Sequence, residues 1–184
     1  MITTRAHAPE SIFVDSRFEI LDNSSASIET LVIALDDPYL IRCLRESLSN
    51  ESAALLPISE DSLNQDGQSL AQEIERALHK LDLSSIVFVG HSMSRWACRK
   101  GVSSSTGGNG DFSSVISGVK HFQSQSQESQ KRFVSQFQQL AEIPVIASRV
   151  NCEELAISGL FYRAESGLFL AYDPALDQFQ PLLN

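Results

Sequence analysis

The chain lacks several features that would assign it to a class at once. Its three cysteines, Cys43, Cys98 and Cys152, are far apart and form no Cys-x-x-Cys pair, which excludes a local zinc or redox motif. An odd number of cysteines without an apolar leader in residues 1–10 favours reduced, buried thiols. No apolar run approaches the roughly 20 residues of a membrane span. We therefore expect a cytoplasmic protein with no membrane partner.

Positive charge is also scarce. Lys and Arg total 14 against 23 Asp and Glu, so the net charge is −9. A surface of this sign repels nucleic-acid phosphates and anionic lipids, and no basic patch offsets it. We expect no nucleic-acid partner. The 184 residues, 42% of them hydrophobic, are enough for one domain with a substantial core.

Alternating strand and helix patterns predict an α/β fold. Continuous apolar runs at 30–35, 53–58 and 86–89 are typical of strands buried on both faces, and helical stripes follow the first two. A later helical stripe ends before Pro144, and 145–147 is interpreted as another strand.

The chain then closes with two alternating segments, 155–162 and 168–172, which predict a hairpin turning at Gly167. Together these elements predict a parallel-centred mixed sheet flanked by helices, with a C-terminal antiparallel hairpin.

The domain organisation is simple. Residues 1–29 are polar and weakly patterned, and we interpret them as an N-terminal arm that docks on a partner subunit. Residues 30–184 form a single predicted domain. Within it, 101–130 is rich in Gly, Ser and Gln and is predicted to be a flexible insertion, a long loop with some helix over 112–122.

The pentad Gly90-His91-Ser92-Met93-Ser94, after a buried strand, allows one enzymatic interpretation. It partly matches the nucleophile elbow of hydrolases, with Ser92 as nucleophile. However, Ser94 replaces the final glycine of that motif. The required histidine is limited to His121, with Asp111 close before it in the low-complexity stretch. The serine-hydrolase interpretation is therefore the weaker one.

Two segments together resemble the motifs of β-class carbonic anhydrases. Residues 35–39, Leu-Asp-Asp-Pro-Tyr, are similar to the family's Cys-x-Asp-x-Arg, and 91–94, His-Ser-Met-Ser, to its His-x-x-Cys. The separation of 56 residues between Leu35 and His91 is close to the family's own. Downstream, 159–167 resembles the family's Gly-x-x-Tyr…Thr-Gly hairpin. The resemblance covers roughly residues 30–180 and implies a β-carbonic anhydrase-like fold.

The resemblance also implies what the site has lost. In the family, Cys, His and Cys hold zinc, whose bound hydroxide attacks carbon dioxide, and an Asp–Arg pair orients that hydroxide. Here Leu35 and Ser94 occupy the two cysteine positions and Tyr39 the arginine position, while His91 and Asp37 are kept. Because two of three ligand positions lack a suitable donor, we predict no zinc and no other cofactor.

Nearby thiols do not replace the missing ligands in this prediction. Cys98 lies seven residues beyond His91, about 10 Å along a helix axis, and Cys43 is similarly distant from Asp37.

The two retained residues have several interpretations. Asp37 stands directly before Pro38, and this position favours a role as the N-cap of the following helix. His91, at the end of a strand, is interpreted as a structural histidine. Alternatively, the two side chains bond to each other and line a vestigial site at the carboxyl ends of the strands, where a small anion or small-molecule ligand is expected.

The sequence therefore predicts a zinc-free, non-catalytic homologue that acts as a binding or assembly module and forms a homodimer, as family members do. The alternative is an active enzyme. It would be either a carbonate dehydratase-like lyase with residual hydration through Asp37 and His91, or a serine hydrolase using Ser92.

Overall fold

The computed structural model describes residues 18–21, 27–48, 51–59, 62, 67–92, 112–164 and 166–182. In chain order the elements are β1 (Glu19–Ile20), β2 (Thr30–Leu35), α1 (Pro38–Leu48), β3 (Ala53–Ile58), α2 (Gly67–Lys80), β4 (Ser85–His91), α3 (Phe112–Ala141), α4 (Pro144–Asn151), β5 (Ala156–Arg163), β6 (Leu168–Asp173) and β7 (Gln178–Pro181).

The strands form one seven-stranded sheet in the order β1-β3-β2-β4-β5-β6-β7. The four central strands, β3, β2, β4 and β5, are parallel. Strand β1 lies antiparallel at one edge, and β6 and β7 continue antiparallel at the other. The predicted parallel-centred mixed sheet with flanking helices and a C-terminal antiparallel hairpin is confirmed.

The two faces of the sheet are covered differently. Helices α2, α3 and α4 pack on one face, here called the helix-rich face. Helix α1 packs on the other, here called the α1 face. Strand β2 alternates between them: Leu31, Ile33 and Leu35 enter the core of the helix-rich face, and Val32 and Ala34 that of the α1 face. Because β2 is buried on both faces, its sequence is a continuous apolar run.

An aromatic cluster centres the core of the helix-rich face. The ring of Phe133, on α3, stacks on Phe88 of β4 with centroids 5.1 Å apart. It also meets Phe161 at 5.7 Å and Tyr172 at 6.0 Å, both edge-on. The cluster therefore ties α3 to three adjacent strands, and offset and edge-on pairs of this kind stabilise beyond their burial.

The predicted strand at 145–147 is wrong, because this segment lies in the helix α4. Pro144 occupies the first turn of that helix, where its missing N–H costs no hydrogen bond. Only Ile146 among the helix's residues is buried. A three-residue apolar run does not distinguish a strand from a short helix, and here the proline was the better signal.

Within the flexible insertion predicted over 101–130, the helix predicted over 112–122 is confirmed, whereas the loop predicted over 123–130 is wrong. Helix α3 is continuous from Phe112 to Ala141, so the Ser/Gln-rich stretch 123–130 is helical. Gln is a good helix former, and the anchoring of Phe133 in the core stabilises the same helix through tertiary packing. Residues 101–111 lie outside the described residues.

Part of the predicted N-terminal arm lies on the chain's own sheet. Glu19 and Ile20 pair with Leu55 and Ala54 of β3. A guanidinium nitrogen of Arg45 on α1 donates to Glu19 Oε2 at 2.7 Å. Residues 1–17 are outside the described residues, and their docking on a partner subunit stays a prediction.

The edge strand β7 contains a proline, Pro181, which changes the hydrogen-bonding groups that this edge of the sheet presents. The N–H of Leu182, just beyond the strand, donates to the carbonyl of Phe169 on β6 at 3.4 Å. Since antiparallel strands direct alternate residues to their partner, the backbone groups of Phe179 and Pro181 point outward. Proline has no N–H, so this outer edge lacks one of its donors.

Candidate functional site

Leu35, at the position of the first family cysteine, is part of the hydrophobic core. Its side chain is 7% exposed and packs on the helix-rich face. Ala34 is paired with Val89 in the parallel ladder. Leu35 is therefore level with Gly90 of β4, not with His91.

His91 faces the other way. It pairs with Tyr162 of β5 in the parallel ladder, and Tyr162 packs in the core of the α1 face. Paired residues on parallel strands share a face, and successive residues alternate, so the side chain of His91 emerges on the α1 face. Two of the three family ligand positions, 35 and 91, thus lie on opposite faces of the sheet.

Asp37 caps helix α1. Its Oδ1 accepts hydrogen bonds from the backbone N–H groups of Tyr39 and Leu40, each at 3.0 Å. These satisfy two of the amides that a helix leaves without an intrahelical partner in its first turn. Pro38 supplies the first helical residue. The N-cap interpretation is confirmed.

Tyr39, at the family arginine position, lies against Tyr162. The two ring centroids are 6.3 Å apart. The Tyr39 ring is 61% exposed and that of Tyr162 only 6%. A hydrogen bond with Tyr39, together with burial, raises the pKa of Tyr162 to about 12. Tyr162 therefore keeps its proton at neutral pH and remains a hydrogen-bond donor.

Sequence reasoning missed this tyrosine pair as a structural unit. Cys43, one turn beyond Tyr39 on α1, also contributes to the raised pKa of Tyr162. The spacing of Tyr39 and Cys43 shows that they share one side of the helix. It does not show that this side faces the carboxyl end of β5, which depends on the strand order.

Ser92, the nucleophile of the hydrolase interpretation, joins three elements. Its Oγ accepts the N–H of Ala164 at 3.0 Å, and its own N–H donates to the carbonyl of Tyr162 at 2.9 Å. The hydroxyl of Ser129 on α3 donates to the Ser92 carbonyl at 3.1 Å. With 8% exposure, Ser92 serves to hold the end of β4 in place. The side chains of Asp111 and His121 lie outside the described part of the chain.

The other predicted site residues form no metal centre in the part of the chain that the structure describes. Ser94 and Cys98 are outside the described residues. Among the residues that are described, no group of three or more His, Cys, Asp or Glu side chains could hold a metal ion. Cys43 and Cys152 are both unbridged. None of the described helices combines the length and apolarity that crossing a membrane requires.

A cavity of about 340 Å³ opens at the same edge of the sheet, but beside β3. It is bounded by the ends of β2 and β3 and by the first turns of α2. Its lining residues are Asp36, Pro57, Ile58, Ser59, Ser62, Ser69, Leu70 and Glu73. Neither Asp37 nor His91 contributes to this lining. The cavity therefore does not coincide with the predicted site.

Comparison with protein-family models and with curated protein sequences finds no match. Solved structures do match. The β-carbonic anhydrase CcaA is 19% identical over 86% of this chain and 80% of its own, with a TM-score of 0.55. The β-carbonic anhydrase CafD of Aspergillus fumigatus is 16% identical over 81% of this chain and 91% of its own, with a TM-score of 0.53.

A tetrameric β-carbonic anhydrase of Sordaria macrospora is 16% identical over 79% of this chain and 80% of its own, with a TM-score of 0.56. The likeness extends over most of both chains in each comparison, and it agrees with the strand order and flanking helices described above. The chain thus has the fold of the β-class carbonic anhydrases.

Proposed function

We propose that this protein is a zinc-free, non-catalytic homologue of the β-carbonic anhydrases that acts as a binding or assembly module. The burial of Leu35 carries the proposal. Its hydrocarbon side chain occupies the core of the helix-rich face, whereas His91 is directed to the α1 face. A tetrahedral zinc site needs donors that converge on one point, and these two positions diverge.

The two positions of the family's Asp–Arg pair, Asp37 and Tyr39, make other contacts in this chain. Asp37 Oδ1 accepts two amide N–H groups at the start of α1. Tyr39, in place of the cation, bonds to Tyr162. Both contacts stabilise the local fold. Neither supplies the positive charge that would hold a bicarbonate-like anion during turnover.

Binding near His91 is the first part of the proposed role. Tyr39 and Tyr162 bring two phenol groups to the carboxyl ends of the strands, the edge where ligands of open α/β sheets collect. A neutral small molecule that accepts hydrogen bonds suits these two phenol groups better than an anion does, because the carboxylates of Asp36 and Asp37 follow β2 directly and repel negative charge.

Assembly is the second part. The Sordaria macrospora relatives are tetrameric, and we propose that this chain also self-associates, as a homodimer. The unbridged Cys43 and Cys152 are in keeping with a reducing compartment, so the proposal retains the cytoplasm as the location.

Metal analysis of protein purified from zinc-supplemented cells, paired with a carbon dioxide hydration assay, tests the loss of zinc chemistry. We expect far less than one zinc per chain and no hydration above the uncatalysed rate. The control is His91→Ala, which should leave both readings unchanged. Stoichiometric zinc in the wild type that disappears in His91→Ala would refute the proposal.

A separate titration addresses the binding role. Bicarbonate and acetamide, an anion and a neutral hydrogen-bonding probe, are added while the ring signals of Tyr39 and Tyr162 are followed by NMR. We expect saturable shifts with acetamide that weaken when Tyr39→Phe removes one phenol. Shifts with bicarbonate alone would reverse the assignment of ligand class.

A further inference from the structure

The cavity beside β3, here called the β3 cavity, has two polar walls. One is formed by the ends of β2 and β3, where the N–H of Asp36 donates to the carbonyl of Ile58 at 2.7 Å and so ties the two strand ends together. The other is α2, on which Ser69 and Glu73 are four residues apart and share one side of the helix. Because regular elements hold both walls, these groups are in position before any ligand enters.

The β3 cavity has the size and the position of a small-molecule site. Its volume of about 340 Å³ is at the low end of the range of roughly 300–1,000 Å³ that ligand pockets occupy. It opens at the carboxyl ends of two parallel strands, β2 and β3, where the ligands of open α/β sheets bind. Neither Tyr39 nor Tyr162 is among its lining residues. The cavity is therefore a second location, separate from the tyrosine pair.

The ionisable groups that the structure describes around the β3 cavity are all acidic. Asp36 and Glu73 are its two acids, and none of the described lining residues is basic. The neighbouring sequence adds no base, because residues 46–75 contain no Lys, Arg or His. The chain as a whole carries a net charge of −9. This potential attracts cations to the cavity and repels anions.

Serine hydroxyls and hydrocarbon groups complete the lining. The Oγ atoms of Ser59 and Ser62 are 2.7 Å apart and share a hydrogen bond. A hydroxyl has one proton but two acceptor lone pairs, so both oxygens can still accept an N–H from a ligand. Ile58 and Leu70, both buried, contribute hydrocarbon to the lining. A ligand with a short methylene chain matches that part of the cavity.

We propose that the β3 cavity binds a small organic cation, a primary ammonium on a short carbon chain. An ammonium has three N–H donors, which the carboxylates of Asp36 and Glu73 and a serine hydroxyl accept together. A divalent metal ion suits the cavity less well. Ca²⁺ takes about six to eight oxygen ligands, and the described residues bring no third acid to this pair. The inference is independent of the loss of zinc chemistry and of binding beside His91.

The test compares two ligands of the same length. Butylamine carries one ammonium at neutral pH, and n-butanol has a hydroxyl in its place. Each is titrated into the isotope-labelled full chain while the backbone amide signals of Ser59, Ser69 and Glu73 are followed by NMR. We expect saturable shifts at a concentration of butylamine about tenfold lower than that of n-butanol, because its hydrogen bonds to carboxylates are charge-assisted. Added NaCl should weaken the binding of butylamine.

Two carboxylate variants and a matched control locate the binding. Asp36→Asn and Glu73→Gln should each weaken the affinity for butylamine about fivefold, as expected for the loss of one partly exposed ion pair. Glu75→Gln removes a carboxylate from an exposed position of the same helix, outside the lining, and should leave the affinity unchanged. Circular dichroism confirms that each variant is folded.

Three results would overturn the inference. The first is binding of n-butanol as tight as that of butylamine, or binding of neither. The second is an equal affinity for butylamine in Asp36→Asn, Glu73→Gln and Glu75→Gln, which would place the bound amine outside the β3 cavity. The third is displacement of butylamine by a lower concentration of calcium chloride, which would assign the cavity to a metal ion. The zinc measurement and the tyrosine ring signals report on the proposed function, so the two proposals fail separately.

Discussion

Gly90 lies directly beneath the ring of Phe133. A Cβ added at Gly90 would come within 2.5 Å of Cδ2 of that ring, closer than non-bonded carbons approach. The glycine is therefore required for α3 to sit against β4. Gly90, the residue before His91, thus lies where the ring of Phe133 on α3 packs against β4.

The substitution Gly90→Ala should reduce the free energy of unfolding by about 1–3 kcal/mol, the usual cost of overpacking a core. Urea denaturation measures it. In the Phe133→Leu background the added methyl meets a smaller side chain, so the cost of Gly90→Ala should fall by half or more. An equal cost in both backgrounds would show that Phe133 is not the cause.

Gln136 is an internal destabilising group. Among the side chains that the structure describes, its Nε2 is buried without a hydrogen-bond partner, in a residue that is 3% exposed. Gln136→Met keeps the length of the side chain and removes the amide, so it should raise the free energy of unfolding by about 1 kcal/mol. Gln138→Met, exposed on the same helix, should change it by less than about 0.5 kcal/mol. A loss of stability in Gln136→Met would reveal a partner for the amide in solution.

The capping role of Asp37 predicts a graded response to substitution. Asp37→Ala should cost about 1 kcal/mol of stability, because the N–H groups of Tyr39 and Leu40 lose their acceptor. Asp37→Ser and Asp37→Asn retain an acceptor oxygen and should cost only a few tenths of that figure. Thermal unfolding distinguishes the variants. If Ser and Asn are as damaging as Ala, the carboxylate has a further function.

The raised pKa of Tyr162 predicts a loss of stability at high pH. In the unfolded chain this phenol ionises near 10, while in the folded chain its pKa is about 12. Between these values the unfolded state binds fewer protons, so stability falls as pH rises, with a limiting slope of about 1.4 kcal/mol per pH unit. Tyr39→Phe removes the principal cause and should lower the Tyr162 midpoint. NMR titration of ring-labelled tyrosine measures it, and an unchanged midpoint would assign the shift to burial alone.

The strands that the sequence predicted correctly carry one of two signals. β2 and β3 are buried on both faces, so nearly every position is apolar and the signal is continuous. β6 and most of β5 alternate between buried and more exposed residues, which gives the period of two that predicts a hairpin strand. The two-residue strand β1 is too short to show a period, and β7, with the sequence Gln-Phe-Gln-Pro, buries too little to show one. Both exist because a neighbouring strand offers an unpaired edge, which is information that only the tertiary fold contains.

The features of the candidate site likewise fall into those that the local sequence predicts and those that depend on the tertiary fold. The N-cap role of Asp37 follows from local chemistry, an acid immediately before a proline, and it could be predicted. The side chains of Leu35 and His91 lie on opposite faces of the sheet because of the register of β2 against β4. The contact between Tyr39 and Tyr162 depends on which strand lies beneath α1. Neither is encoded within a window of neighbouring residues.

Pro181 has a consequence for the protein in crowded solution. Sheet proteins aggregate when an exposed margin recruits further chains one strand at a time, with each new backbone completing the ladder of the last. Of the two β7 residues whose backbone groups point outward, one has no amide hydrogen to offer. A growing fibril that started at this margin would miss a bond at its first step. The missing donor of Pro181 therefore weakens the addition of further chains at β7.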